Sequence, residues 1–481
     1  MAKRRVQRFS RFLGVDKDTF KREGVLDPIV GVDINVFVDP QRLMLTQIGE
    51  FNGSRAKLEK HFTDVFRGVI SSTGYEDPFW LAARGRIAVK EISGVGIGFC
   101  SDKDTGNAIG KTLADQLLNT AKFIYKRGVE DPIAFELLGL FEKNFGPDRL
   151  SDLVIHILRA EFLTYTERVS VALQIPQTKM FDHAYQLNKY RVPFRLDAKG
   201  RQYPVTLLPL DILRDLPIAL DPQGIQDATY LKQELRDCWQ AIINDAWEKT
   251  RKKPTKDNRK KLFMEHPEFF DPLIQVYKEN KRPGYDFDSD PKRLIKWFDV
   301  AEQYLTDYPV ILKQVIEDIE DLSGVVDKIL EQFKKNIELN GLSKHLYDQS
   351  GEPLREEYSQ RLFYTVADGY CAANGLDVSP ESDAGKGPVD FKLSNGSKKV
   401  VVEMKLSKHS RIVHGYTKQL ELYKKSEGAV LAHFVVIVVT SNEPAQLKKV
   451  RRMAAEARAL GRRAPILTVI DGRIYPSASK V

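Results

Sequence analysis

Hydrophobic and polar positions alternate most cleanly near the end of the chain. Val389 to Leu393 and Lys399 to Leu406 are short, Val-rich runs on either side of Ser-Asn-Gly-Ser. Period-two alternation marks strands, and Asn-Gly between two such runs marks a hairpin, because a type I′ turn needs positive φ at both central residues. With Asn395-Gly396 as the loop, Ser394 faces Ser397 and Asp390 faces Val401. Asp390, Glu403 and Lys405 then share one face, while Val389, Val400, Val402, Met404 and Leu406 share the other. A helix is expected before the hairpin, from about Leu354 to Ala373. After it come a helix carrying Gln419, a buried strand over His433 to Thr440, a basic helix over Pro444 to Leu460, and a last strand from Pro465.

The earlier chain is patterned less clearly. Residues 1 to about 125 read as α/β, with an alternating run in Gly24 to Leu43 that stops at Asp39-Pro40. Asp33 and Asp39 share a face of that run, but turn chemistry accounts for Asp39-Pro40 better than a metal pair does. Apolar residues at three- and four-residue spacing predict packing helices from Leu113 to Leu173. Tyr190 to Leu213 predicts a hairpin around Asp-Ala-Lys-Gly, and residues 262–335 predict further helices. The domain plan is an N-terminal α+β region followed by helices: a regulatory or sensing region over 1–245, a basic linker over 246–265 and a helical connector over 266–335. The last domain covers 336–481.

Composition narrows the setting. Cys100, Cys238 and Cys371 are widely spaced, with no metal-binding spacing, and read as free thiols of a reducing compartment. The basic start MAKRRVQRFSRFLG lacks the apolar run of a signal peptide, and no segment reaches the ~18 apolar residues of a membrane span. A cytoplasmic protein with no membrane partner is expected. The net charge is +8, and Lys398 to Arg463 holds 15 lysines and arginines against 5 acids, so the remainder is slightly acidic. A basic field of this kind suits a polyphosphate such as DNA.

Two stretches invite a nucleotide or metal reading. Gly110-Lys111-Thr112 resembles the end of a phosphate-binding loop, but Gly106 stands one residue too close and Thr105 occupies the required position. A Gly-rich loop leading into a helix is the better account. The hairpin is different. Two carboxylates on one apolar face repel one another and are costly to bury, unless a cation lies between them. Hard oxygen ligands suit Mg²⁺, and an adjacent lysine could hold an attacking water or offset charge on phosphorus.

Asp390 … Glu403-Met404-Lys405 resembles the PD-(D/E)xK nuclease superfamily, with an acid on one strand and E-x-K on the next. Gln419 and Tyr423, four apart in KQLELY, resemble the QxxxY motif of its RecB-like branch. The motif's proline stands at Pro388, with Val389 inserted before the acid. The resemblance covers residues 336–481 and implies a restriction-endonuclease-like αβββαβ core, a mixed sheet flanked by helices. It further implies Mg²⁺, with Mn²⁺ substituting, held by Asp390, Glu403, the Met404 carbonyl and a helical acid. Glu356 or Glu357 could be that acid, and Glu356 is favoured because its Glu-x-x-x-Gln spacing to Gln360 resembles that of related nucleases. Lys405 would position or activate the water, and Gln419 and Tyr423 would orient the strand or the catalytic groups. His409 and His414 lie close by but outside the motif.

The implied activity is Mg²⁺-dependent DNA hydrolysis, as the endonuclease effector of a prokaryotic antiphage system. A repair or recombination exonuclease or resolvase, and a catalytically silent DNA-binding module, are the alternatives. Beyond DNA, a regulatory or sensor protein is an expected partner, and an oligomer is possible.

Overall fold

The alternation in the last third of the chain builds a five-stranded mixed sheet. In a computed structural model of the 481 residues, the chain divides into two units, residues 7–287 and residues 288–481. The structure describes all residues except 1–6, 31–33, 91–94, 96–107, 180–189, 197–201, 230, 232–235, 242, 245–253, 311–317, 349, 374–375, 384–387, 396–397, 421–428, 430, 462–463 and 476–481. The division at 287/288 falls inside the expected helical connector.

The first unit is mainly helical. Ser54–Ser71, Pro78–Ile87, Lys111–Tyr125, Pro147–Ile157 and Arg159–Ala172 are its longer helices. Of the alternating run at Gly24 to Leu43, Phe37–Val38 forms a strand, paired with Leu213–Arg214. Asp39 is fully buried and accepts hydrogen bonds from the backbone of Gln41 and Ile218 at 2.9 Å each, a structural role; Asp33 lies outside the described residues. Phe194–Leu196 pairs antiparallel with Gln202–Pro204, with Phe194 opposite Pro204, as a hairpin requires; the Asp-Ala-Lys-Gly turn itself lies outside the described residues. In the stretch expected to be a linker, Thr255 caps a helix over Lys256–Glu265, whose Leu262 and Phe263 are buried. An apolar pair within a charged run lets that segment pack.

In the second unit we label helices α1 (Ile319–Glu338), α2 (Glu356–Ala373) and α3 (Ala445–Ala459). The strands are β1 (Asp377–Asp383), β2 (Pro388–Asn395), β3 (Lys398–Leu406), β4 (Leu431–Val438) and β5 (Ile466–Asp471). Their order in space is β5-β4-β3-β2-β1. The β1–β2 and β2–β3 pairs are antiparallel; β3–β4 and β4–β5 are parallel. Strand β1 is the third strand that an αβββαβ core implies, but the residue pattern did not locate it. Its sequence, DVSPESD, is polar and contains proline, which sheets tolerate at the edge position β1 occupies.

Both faces of the sheet are covered, which is why β3 and β4 are buried along most of their length. On one face Phe391 meets Phe363 of α2 at 4.9 Å, and Phe363 meets Phe333 of α1 at 5.1 Å. On the other, Val401, Phe434, Val436 and Val438 pack with Ile412, Tyr416, Leu420, and Leu447 and Val450 of α3. The helix expected around Gln419 begins at Ile412 and passes into a π-helical turn, Gly415–Gln419.

One buried polar group on the α1 face stands out. His433 in β4 is fully buried, neither ring nitrogen makes a hydrogen bond, and Nδ1 lies 3.6 Å from Asp327 of α1. Burial pushes its pKa down to about 4, from 6.5. The unfolded chain therefore takes up this proton first, so stability is complete above about pH 6.5 and falls as pH drops toward 4. His433→Leu should stabilise by about 1 kcal/mol at pH 7. Its advantage should grow to roughly 2–4 kcal/mol near pH 4.5, read as amide-exchange protection of β4. An advantage that is flat with pH would refute this account.

Candidate active site

The hairpin's register differs from the expected one by two residues. Asn395 pairs with Lys398, Ser394 with Lys399 and Phe391 with Val402; Gly396 and Ser397 lie outside the described residues. Alternation has a period of two, so it cannot separate registers two residues apart, and every side chain keeps its expected face. The slip still matters. It sets Asp390 level with Glu403 rather than with Val401.

The β2–β3 ladder ends at the Phe391–Val402 pair, while β2 stays paired with β1 as far as Pro388. The two strands thus part at Asp390. Its carboxylate replaces the missing ladder partner by accepting the Met404 backbone N–H at 2.6 Å. On its other side β3 remains paired with β4, so the backbone of Glu403, Met404 and Lys405 is held rigidly. The Met404 side chain is buried in the opposite face.

Lys405 Nζ gathers three carboxylates. Glu403 Oε1 lies at 2.9 Å, Glu356 Oε1 at 3.1 Å and Asp390 Oδ2 at 3.9 Å. Glu356, in the first turn of α2, also accepts the Leu406 backbone N–H at 2.9 Å. The structure thereby separates the two helical candidates: Glu356 joins the cluster, and Glu357 is exposed. Glu403 forms the floor at 1% exposure, and the side chains of Asp390 and Glu356, 14% and 19% exposed, form the mouth.

Burial and the neighbouring Glu403 charge push the Asp390 carboxyl well above its usual range. Burial raises Glu403 too, against the pull of Lys405. For Lys405, burial favours the neutral amine, but the Asp390, Glu403 and Glu356 charges outweigh it and hold the ammonium above its ordinary pKa. If all were ionised, three carboxylates against one ammonium would leave two negative charges in a site with little water. Neither Glu403 oxygen has a well-aligned hydrogen bond: Oε1 meets Lys405 as an ion pair at 2.9 Å, and the Asp390 backbone N–H adds only a weaker pull on the carboxylate. A buried carboxylate left in this state is costly, and a divalent cation would relieve it. Among the described residues no group of three His, Cys, Asp or Glu side chains is spaced to hold a metal as it stands; here the ammonium fills the middle. The donor set, all hard oxygen with one missing charge partner, fits Mg²⁺ or Mn²⁺.

The other expected residues divide. Gln419 ends the π-turn, and Tyr423 lies outside the described residues. His409 accepts the Arg411 N–H at 3.1 Å, and His414 is exposed. Two supporting residues were missed. Lys408 Nζ donates to the carbonyls of Pro353 and Leu354, at 2.8 and 3.1 Å, and so fixes the chain just before Glu356. Ser407 Oγ accepts the Val439 and Thr440 amides and joins the ends of β3 and β4. Nothing in KLSKHS distinguishes these two from ordinary solvent-facing side chains.

Beside the cluster's face of the sheet, α3 buries Leu447 and Val450 and exposes Lys448, Lys449, Arg451, Arg452 and Arg458. Lys408, Arg411 and Lys418 are exposed on the segment between β3 and β4.

Comparison with known families adds two matches. Residues 14–221 match a domain of unknown function (DUF8370), and residues 322–441 match another domain of unknown function (DUF8371). The second match spans α1 through β4 and includes all four cluster residues. No curated protein and no solved structure matches the chain. Cys238 is half-buried and Cys371 buried, and no helix among the described residues is long and apolar enough to cross a membrane.

Proposed function

We propose that the C-terminal unit is a divalent-metal-dependent nuclease that hydrolyses phosphodiester bonds in DNA, with a restriction-endonuclease-like core. The observation that carries this reading is the convergence of Asp390, Glu403 and Glu356 on Lys405 where β2 and β3 part. Asp390 and Glu403 would hold the metal with the Met404 carbonyl, and Glu356 would complete the set. The ion, when bound, supplies Lewis acidity toward the phosphate and acidifies a water. The Met404 and Leu406 amides fix the carboxylates of Asp390 and Glu356 in position. Lys405 is the cation of the site, free to hold a water or phosphate oxygen once a metal satisfies the acids. The resemblance to PD-(D/E)xK nucleases supports the same reading and suggests an effector of antiphage defence, cytoplasmic and held in check by residues 1–335 or a partner protein.

The test is purified protein with covalently closed circular DNA and Mg²⁺, beside an EDTA control. Metal-dependent nicking or linearisation is expected. Intact circles with degraded linear DNA would replace the endonuclease by an exonuclease, and DNA binding without cleavage of any substrate would leave a binding module.

The exposed cations of α3 lead to a separate expectation. Lys448→Ala with Lys449→Ala should weaken DNA binding equally for all sequences. The slope of log affinity against log salt should fall by up to about two, close to 0.9 for each phosphate no longer neutralised. An unchanged slope would remove α3 from the DNA path.

A further inference from the structure

The first unit contains a feature that the nuclease reading does not use. Along one face of helix Lys111–Tyr125 runs an open, polar cavity of about 560 Å³, inside the range typical of small-molecule sites. Thr112, Gln116 and Asn119 line it from the helix, Tyr75 stands at one side and Lys260 at another. Thr112 and Asn119 are seven residues apart, a span of roughly 10 Å at 1.5 Å per residue.

The charges around this cavity are already matched. Glu142, fully buried, receives Lys260 Nζ at 2.6 Å, Gln116 Nε2 at 2.6 Å and Thr120 Oγ1 at 2.5 Å. Asp115 accepts Trp80 Nε1 at 2.7 Å and Arg84 Nη1 at 3.4 Å. These bonds lock the lining side chains in place and leave no surplus cation for a polyphosphate among the described residues that line it. The remaining capacity is neutral. Asn119 uses Nδ2 on Tyr75 Oη, at 3.0 Å, and on the Asp115 carbonyl, at 2.8 Å, which leaves its amide oxygen for a ligand. Among the described residues the Gln116 amide oxygen, the Thr112 hydroxyl and the Tyr75 hydroxyl proton are similarly left over.

Tyr75 supplies a flat surface. It is 54% exposed, and its ring is set edge-to-face against buried Trp80 at 5.0 Å. An aromatic face beside carboxamide groups matches a heterocyclic base, which stacks on the ring and pairs its edge with an amide. From this arrangement we infer that the cavity binds a neutral purine nucleoside. Adenosine is the simplest probe: its base would stack on Tyr75 and read Asn119, and its ribose hydroxyls would meet Thr112 and Gln116. The site differs from a phosphate-binding loop in what it recognises, because it reads the base and sugar without needing a phosphate.

The test is calorimetric titration of the full chain with adenosine, guanosine, cytidine, ATP and glucose, with no DNA or metal present. Saturable binding of adenosine is expected, with the pyrimidine nucleoside and the sugar weaker. Tyr75→Ala removes the exposed ring together with its edge contact to Trp80 and should weaken binding about tenfold or more, in line with the loss of one base–aromatic stack, while Tyr75→Phe, which keeps the ring on Trp80, should retain most of the affinity. Asn119→Ala should weaken adenosine and cytidine alike, because its free amide oxygen accepts from the amino group of either base, and should leave the preference for the purine, which comes from stacking on Tyr75, in place. No saturable heat with any nucleoside at millimolar concentration would overturn the inference. So would adenosine affinity unchanged in Tyr75→Ala, or binding that requires the phosphates of ATP. The readout is binding in the first unit, so its result is independent of whether the second unit cleaves DNA.

Discussion

Glu403→Gln should abolish metal-dependent cleavage of circular DNA, by on the order of a thousandfold, while leaving DNA affinity within a few-fold of wild type. The substitution keeps the shape of a residue that is 1% exposed, so packing is preserved. It removes the charge facing Lys405 at 2.9 Å and one of the oxygens that would bind metal. Asp390→Asn should lose comparable activity, with some added instability because the Met404 amide then faces a weaker acceptor. The measurement is initial nicking rate against enzyme concentration, with binding followed separately by fluorescence anisotropy. Glu403→Gln cutting at the wild-type rate would dismiss this cluster as the catalytic centre, whatever the nuclease status of the chain.

Lys405→Met should produce the largest change in stability. Removing the ammonium that sits among three partly or fully buried carboxylates leaves charges uncompensated, a loss of about 3–5 kcal/mol at neutral pH. The pH dependence has a definite sign. Burial already raises the folded-state pKa of Asp390 and Glu403 above their unfolded values of 3.8 and 4.5, and loss of the lysine raises them further. The folded variant therefore takes up protons before its unfolded chain does, and its deficit shrinks as pH falls from neutral toward 5. Millimolar Mg²⁺ should also recover part of the loss at pH 7, because a divalent ion can take over the neutralising role. Thermal unfolding with and without Mg²⁺, at pH 5 and pH 7.5, measures both effects. A deficit that is the same in all four conditions would mean that Lys405 acts mainly through packing of its stem.

The cluster was legible because its information is local. Parity along two strands puts Asp390, Glu403 and Lys405 on one face in any register of the same parity, whereas Glu356 was favoured over Glu357 only by the likeness of its spacing to Gln360 to that in related nucleases. What alternation could not supply is the distance along the ladder, and the level of Asp390 with Glu403 depends on that distance. Strand β1 could not be located from the residues because an edge strand can be polar and proline-containing. The π-turn escaped because a wider winding leaves no mark in a four-residue spacing such as Gln419 to Tyr423. The reading of residues 1 to about 125 as α/β went astray for another reason. Gly24 to Leu43 alternates well, yet it finds a strand partner at Leu213–Arg214, far away in sequence, and helices build most of the chain from Ser54 to Tyr125. Buried groups such as Glu142, with partners spread from Gln116 to Lys260, have no sequence signature at all.

The spatial order of the sheet also bears on how the protein is made. Strands β1 to β5 lie side by side in the order in which the ribosome releases them, so each new strand adds to an edge left by the one before. Glu356 emerges early, Asp390 next, and Glu403 and Lys405 last, with Leu406 supplying the amide that holds Glu356. A nascent or truncated chain that stops short of β3 carries two acids and no lysine to gather them. Synthesis itself then keeps the cluster unassembled until β3 has been released, whatever other restraint the finished protein has.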